Sequence, residues 1–192
     1  MARNHWISEY LYKLRYFFLL TICLFFTMLG LGYVLGEVLS SSVLEVLRQI
    51  FGGVGEVNPV WLMLLIFLNN SVKSFFAILL GVLFAIVPLS FVVLNGFVLG
   101  VIVYEMVRLK GALYAFVLFA PHGVIEIPAI LFSSAIGVRL GYELFKRIKG
   151  EGNVGEELII GVRIFIRYIS PLLLVAAIIE AFVTPLIASI LF

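Results

Sequence analysis

The segment Pro121-His122-Gly123-Val124-Ile125-Glu126-Ile127-Pro128 sets an imidazole and a carboxylate four residues apart in a stretch with almost no other polar side chains. On a helix, positions i and i+4 share a face. His122 and Glu126 can therefore share a proton, bind one metal ion, or satisfy each other. Pro121 favours a helix start, and Gly123 allows another backbone to come close. Three readings stand side by side: a buried pair locking two helices, a substrate or proton site, and a metal centre. A zinc site takes three or four ligands. HExxH is absent, and the other histidine, His5, falls beside Trp6 at an expected membrane interface. Further ligands would have to be Glu180 or amide oxygens, so the metal expectation is a divalent ion such as zinc on His122, Glu126 and Glu180.

Other polar groups sit where the surrounding residues are apolar: Asn69, Asn70 and Lys73 on one helical turn, Asn95, and Glu180 in Ile179-Glu180-Ala-Phe-Val-Thr-Pro185. Lys73 and the two amides could neutralise Glu126 or Glu180 across a bundle, or act as hydrogen-bonding glue between helices. Glu180 is expected to face the bundle, toward an interior partner such as Lys73. Asn69-Asn70-Ser71 matches a glycosylation sequon, at a depth that makes the match accidental. Cys23 is expected to be an apolar filler buried in the first apolar run. No GxSxG, Ser/His/Asp set, P-loop or CxxC occurs, and no catalytic residue is assigned.

The elements that must carry these residues are membrane helices. The chain has 192 residues, of which 64% are hydrophobic and only 12% charged; its eleven acids are all glutamate. Mean hydropathy is +1.22. A soluble fold of this size needs a polar coat that this composition cannot supply, whereas a bilayer suits it. The net charge of +2 is too small to imply nucleic-acid binding. Ionisable groups at membrane depth cost roughly 2.5–3.5 kcal/mol each on insertion scales. They persist where they are paired, hydrated or functional.

About 20 apolar residues cross the hydrocarbon core. The pattern predicts one all-α domain over 1–192, a polytopic helical bundle with spans near 16–36, 59–79, 82–104, 111–138 and 168–191. The first run is too long for a signal-peptide core and lacks a small-residue cleavage site, so it reads as an uncleaved helix. Residues 40–51 and 139–149 carry apolar and charged faces at helical period, and read as interfacial amphipathic helices. Pro88 should kink the third span, and Pro121, Gly123 and Pro128 should break the fourth. Two short spans over 156–192 are the alternative for the carboxyl-terminal part.

With five spans, Arg3, Lys13, Arg15, Arg139, Lys146, Arg147, Lys149, Arg163 and Arg167 fall on one side, against Arg48, Arg108 and Lys110 on the other. Lysine and arginine mark the cytoplasmic side. The amino terminus is then inside and the carboxyl terminus outside. Gly32-xxx-Gly36, Gly96-xxx-Gly100 and Gly137-xxx-Gly141 are small-residue pairs suited to close helix contact, and their faces could serve a homodimer or another membrane partner.

At these motifs the chain resembles the stage II sporulation protein M (SpoIIM-like) family. The resemblance rests on Phe67-Leu-Asn69-Asn70, on Val87-Pro88 through Asn95-Gly96-x-x-Leu-Gly100, on Pro121-His122-Gly123-x-x-Glu126-x-Pro128-Ala129 and on Ile179-Glu180-Ala-Phe-x-Thr-Pro185. It covers about 59–185, and the proline–histidine–glycine segment is its specific part. It implies an all-helical membrane protein in which Asn69, Asn70, Asn95, His122, Glu126 and Glu180 matter. In spore-forming bacteria the family member anchors an engulfment complex with peptidoglycan-degrading enzymes, and wider relatives occur in organisms that never sporulate.

Three functions follow as expectations. The first is a non-enzymatic membrane scaffold or complex component. The second is a transporter or permease-like protein, suggested by broken helices around mid-depth ionisable groups. The third is an intramembrane metal-dependent hydrolase using His122 and Glu126.

Overall fold

The computed structural model describes residues 5–39, 45 and 58–191. The amphipathic segment expected over 40–51, with Arg48, lies outside the described residues. Within them the chain is helical throughout, and five helices are long and apolar enough to cross a membrane: Ile7–Val34, Pro59–Val82, Ile86–Lys110, Ala112–Ile148 and Val154–Leu191.

Helix α1 (His5–Val34) begins before the apolar run, with Glu9 and Lys13 paired at 2.6 Å on its first turns. Helix α2 (Pro59–Leu79) starts where the sequence says it should: Asn58 Oδ1 accepts the Val60 amide at 2.8 Å, and Pro59 occupies the first turn. It tightens into a 3₁₀ turn, Leu80–Val82. Phe84 and Ala85 then take left-handed backbone angles, φ 51° and 63°, which reverse the chain into α3 (Ile86–Lys110). Pro88 falls in the first turn of α3, where no helical N–H bond is needed, so the expected kink has no cause.

Gly111, at φ 90°, separates α3 from α4 (Ala112–Ile148). Helix α4 has 37 residues and runs through Pro121 and Pro128 without a break. This corrects the expectation of a broken fourth span. Residues 139–148 continue the same helix instead of forming a separate element, because Ala129–Leu131 and Ser133–Gly141 are buried in the bundle. Helix α4 ends on Gly150 at φ 86°, with Glu151 N donating to Lys146 O at 3.0 Å.

The carboxyl-terminal part is one long helix with two local widenings: α5 (Val154–Ile164), a π turn Phe165–Ile169, α6 (Ser170–Ile178), a second π turn Ile179–Val183, and α7 (Thr184–Leu191). Each π turn stops just before a hydroxyl–proline pair, Ser170-Pro171 or Thr184-Pro185. A helical proline lacks an N–H and crowds the carbonyl four residues back. Widening the preceding turn relieves that crowding and rotates its side chains.

Helix α4 is the central post. Its Ile136 and Leu140 are fully buried, and Ile136 shares a core cluster with Ile78 of α2 and with Ile169 and Leu173 of the last helix. Helix α1 packs along α3 through the small-residue pairs: Gly32 meets the Phe97 carbonyl, Gly96 that of Phe25, and Gly100 that of Leu29. Gly137 and Gly141 seat the turn after α2, against Ala77, Gly81 and Ala85. All three pairs are thus consumed inside the chain, not offered to a second copy. Cys23 is exposed, which corrects its reading as a buried filler: it points away from the bundle.

Candidate polar centre

Helix α4 places His122 and Glu126 on one face, as the four-residue spacing requires. Facing them is the second π turn of the last helix. Its widened backbone carries Glu180, and the next residue after the turn is Thr184. A ligand atom from each of His122, Glu126 and Glu180 lies within 4.8 Å of the other two. Thr184 Oγ1 stands 3.5 Å from His122 Nδ1. All three ligand candidates are partly buried, and Thr184 is fully so.

Helix α2 supplies the third side. Asn70 and Lys73 both bear on the Glu126 carboxylate, the first as a polar neighbour and the second through its charge. Asn69 donates to Asn70 Oδ1 at 3.3 Å, which orients that amide from behind. Of the two carboxylates that Lys73 was expected to neutralise, it bears on Glu126. Asn95 stands apart on α3, where its Nδ2 donates to the Phe91 carbonyl at 2.7 Å. It lines a cavity of about 490 Å³ with Lys73 and Glu126, otherwise walled by apolar residues. The sequence-derived set is thus brought together around Glu126, with Asn69 behind it and Asn95 across a gap. Gly123 was expected to admit a neighbouring backbone, but a Cβ there would meet only Ile127 of its own helix, at 3.6 Å.

Two carboxylates this close in a water-poor interior require a proton or a cation between them. One imidazole nitrogen and two carboxylate oxygens form a donor set suited to a divalent first-row ion. Such a set leaves further positions for water, the Thr184 hydroxyl or the Asn70 carbonyl oxygen. Thr184 escaped the sequence reading, although its position four residues after Glu180 was a usable signal.

A second polar cluster was also missed. Arg139, expected on the polar face of an interfacial helix, is buried. Its Nε lies 3.1 Å from Glu157 Oε2, and Tyr10 donates to Glu157 Oε1 at 2.6 Å. The guanidinium also stacks over the Tyr10 ring, 4.6 Å from its centroid. No polar side-chain atom of this cluster is fully buried without a partner, so it reads as a clamp joining α1, α4 and α5. The one available signal was the uninterrupted small and apolar run on both sides of Arg139, from Ala135 to Gly141.

An uncharacterised protein of Methanocaldococcus jannaschii is 33% identical over 131 residues, 65% of this chain and 72% of the relative. No solved structure matches the fold. The family described as Stage II sporulation protein M matches residues 17–185, a stretch that contains all of α2, α3 and α4, the polar centre and both π turns. The chain belongs to the stage II sporulation protein M family of membrane proteins.

Proposed function

We propose that this protein is a multi-pass membrane protein that holds a divalent cation at mid-depth between His122, Glu126 and Glu180. The single observation carrying this is the convergence of three potential ligand atoms, from two helices, to within 4.8 Å of one another. A π turn aims the third ligand, and π turns recur at functional sites. Around the ligands, Asn70 orients Glu126 and Thr184 approaches His122, the outer-sphere support that metal ligands ordinarily have. A cation at this depth suits transport or ion-dependent assembly. Hydrolysis would require a substrate path to the same ion.

The test is metal content. Protein purified in mild detergent, exposed to zinc or manganese and then desalted, should retain about one ion per chain. His122→Ala and Glu180→Gln should each lose it while eluting as the same folded species. Retention of the ion by both variants sinks the reading.

A second reading, a scaffold without a bound ion, draws on a specific feature. The Asn70–Glu126 and His122–Thr184 contacts each join different helices, as structural hydrogen bonds do. Family membership supports this reading too, since the resemblance connects the family with complex assembly. Under it, Glu126→Gln and His122→Ala would lower thermal stability, and no metal would co-purify with the parent protein.

For topology, we place the amino terminus in the cytoplasm and the carboxyl terminus outside. Lys146, Arg147 and Lys149 at the end of α4 lie at the same end of the bundle as Lys13 and Arg15 of α1, while Arg108 and Lys110 close the opposite end.

A further inference from the structure

The flank of α2 that faces α3 is open. Beyond their connecting turn the two helices splay apart, and the cavity between them has Lys73 on one wall and Asn95 on the other. Lys73 and Asn95 each lie about nine residues from the turn, ~13 Å along their helices at 1.5 Å per residue, so they face each other at one depth. Glu126, Ile127 and Phe25 line the cavity as well, and Leu94, Val98 and Ile102 extend its apolar wall along α3. On the α2 side, Asn69 and Lys73 are both exposed, beside the outward-facing Leu68, Val72 and Phe76. An ammonium and an amide at this depth are costly to leave to hydrocarbon unpaired. Among the described residues, Lys73 forms no contact ion pair.

We propose that the α2–α3 groove receives a transmembrane helix of another protein, bearing a carboxylate at mid-depth that pairs with Lys73. The inference rests on the cation reading above, through its charge balance. A divalent ion on Glu126 and Glu180 cancels both carboxylates and leaves the Lys73 ammonium without a counter-charge. A partner carboxylate supplies it, and Asn69 and Asn95 can hydrogen-bond to the same helix. A second copy of this chain fits less well, because a two-fold contact presents the same patch on both sides and so sets Lys73 toward Lys73. The chain's described exposed glutamates, Glu9, Glu37, Glu45, Glu151 and Glu156, lie near or beyond helix ends, not at this depth. The floor of the groove, with Phe25, Ile127 and Ile130, would take the partner's apolar side chains.

The experiment uses the full chain in liposomes with fluorescent model helices, polyleucine spans carrying a central Glu, Leu or Lys, and reads energy transfer from a donor on the chain. With metal loaded and its content measured separately, the Glu helix should bind about three- to tenfold more tightly than the Leu helix, the range expected for one intramembrane polar contact. Lys73→Met should abolish that preference, and Lys73→Glu should transfer it to the Lys helix. Removing the ion with chelator should weaken the Glu preference. Protein that holds no metal overturns the underlying reading and this one with it. Protein that holds metal but binds all three helices equally overturns this inference alone. An unchanged Glu preference in Lys73→Met, or self-association that excludes every helix, overturns it in favour of lipid or a second copy.

Discussion

Arg139 Nε and Glu157 Oε2 lie 3.1 Å apart with both side chains buried, and the Tyr10 hydroxyl closes the pair from α1. Removing one member of such a pair leaves an uncompensated charge, a loss of about 3–5 kcal/mol, whereas replacing both by apolar residues is often close to neutral. Arg139→Met is therefore expected to lower unfolding stability in detergent by that amount, and Arg139→Met with Glu157→Leu to recover most of it. A double variant as unstable as the single one would mean that the pair does more than hold the helices together.

The polar centre behaves differently if it binds an ion. Ligands contribute stability only while the ion is present, by mass action on the folded state. At a zinc concentration about 100-fold above the dissociation constant the parent protein should gain about 2.7 kcal/mol, and chelator should remove that gain. Glu180→Gln should show no zinc-dependent gain. Thr184→Val, which removes the hydroxyl 3.5 Å from His122 Nδ1 but none of the three converging ligand side chains, should keep the gain with weaker affinity, on the order of tenfold for a supporting residue. Calorimetric melts with and without zinc decide it, and equal melts for parent and Glu180→Gln count against the site.

Much of this was legible from residue spacing. The i, i+4 relation of His122 and Glu126 predicts their common face, and the cost of an isolated glutamate in hydrocarbon predicts that Glu180 turns inward; the three residues converge. The turn between α2 and α3 sits where two apolar runs had to meet. Local rules failed at the prolines. Pro121 and Pro128 read as breaks, yet neighbouring helices hold α4 continuous. Pro171 and Pro185 instead widen the turns before them, and the shift that aims Glu180 cannot be read from an alternation of apolar residues. Arg139 misled for a related reason: its charge placed it on a solvated face, while the partners that bury it, Tyr10 and Glu157, are distant in sequence.

The glycines provide a test of packing with its own control. An added Cβ at Gly100 would press on the Leu29 carbonyl and at Gly32 on the Phe97 carbonyl, both backbone atoms that cannot swing aside. Gly100→Ala and Gly32→Ala should each cost about 1–3 kcal/mol, the usual range for overpacking. Gly30, two residues before Gly32 and so on roughly the opposite side of α1, has nothing within 4 Å of its would-be Cβ. Gly30→Ala should be neutral or stabilising by about 0.4–1 kcal/mol, because alanine restricts the unfolded chain. Gly123→Ala belongs with this tolerated group. Unfolding curves that fail to separate Gly100→Ala from Gly30→Ala would contradict the close α1–α3 packing.

An odd number of crossings sets the two termini on opposite sides of the membrane, which makes topology a sharp prediction. Five helices meet the length and hydropathy needed to span, and the last runs unbroken from Val154 to Leu191. Its two π turns widen the helix without reversing it, so the alternative of two short spans over 156–192 has no turn at which to fold back. The orientation proposed above, with the lysine and arginine cluster at the α4–α5 end in the cytoplasm, then fixes which terminus is outside. Single cysteines in a Cys23→Ser background, at Ser8 near the amino terminus and Ser189 near the carboxyl terminus, should label oppositely with a membrane-impermeant maleimide in intact cells. Ser189→Cys should react and Ser8→Cys should not. Labelling of both from outside, or protection of both until the cells are opened, would contradict five crossings, and reaction at Ser8→Cys alone would invert the assigned orientation.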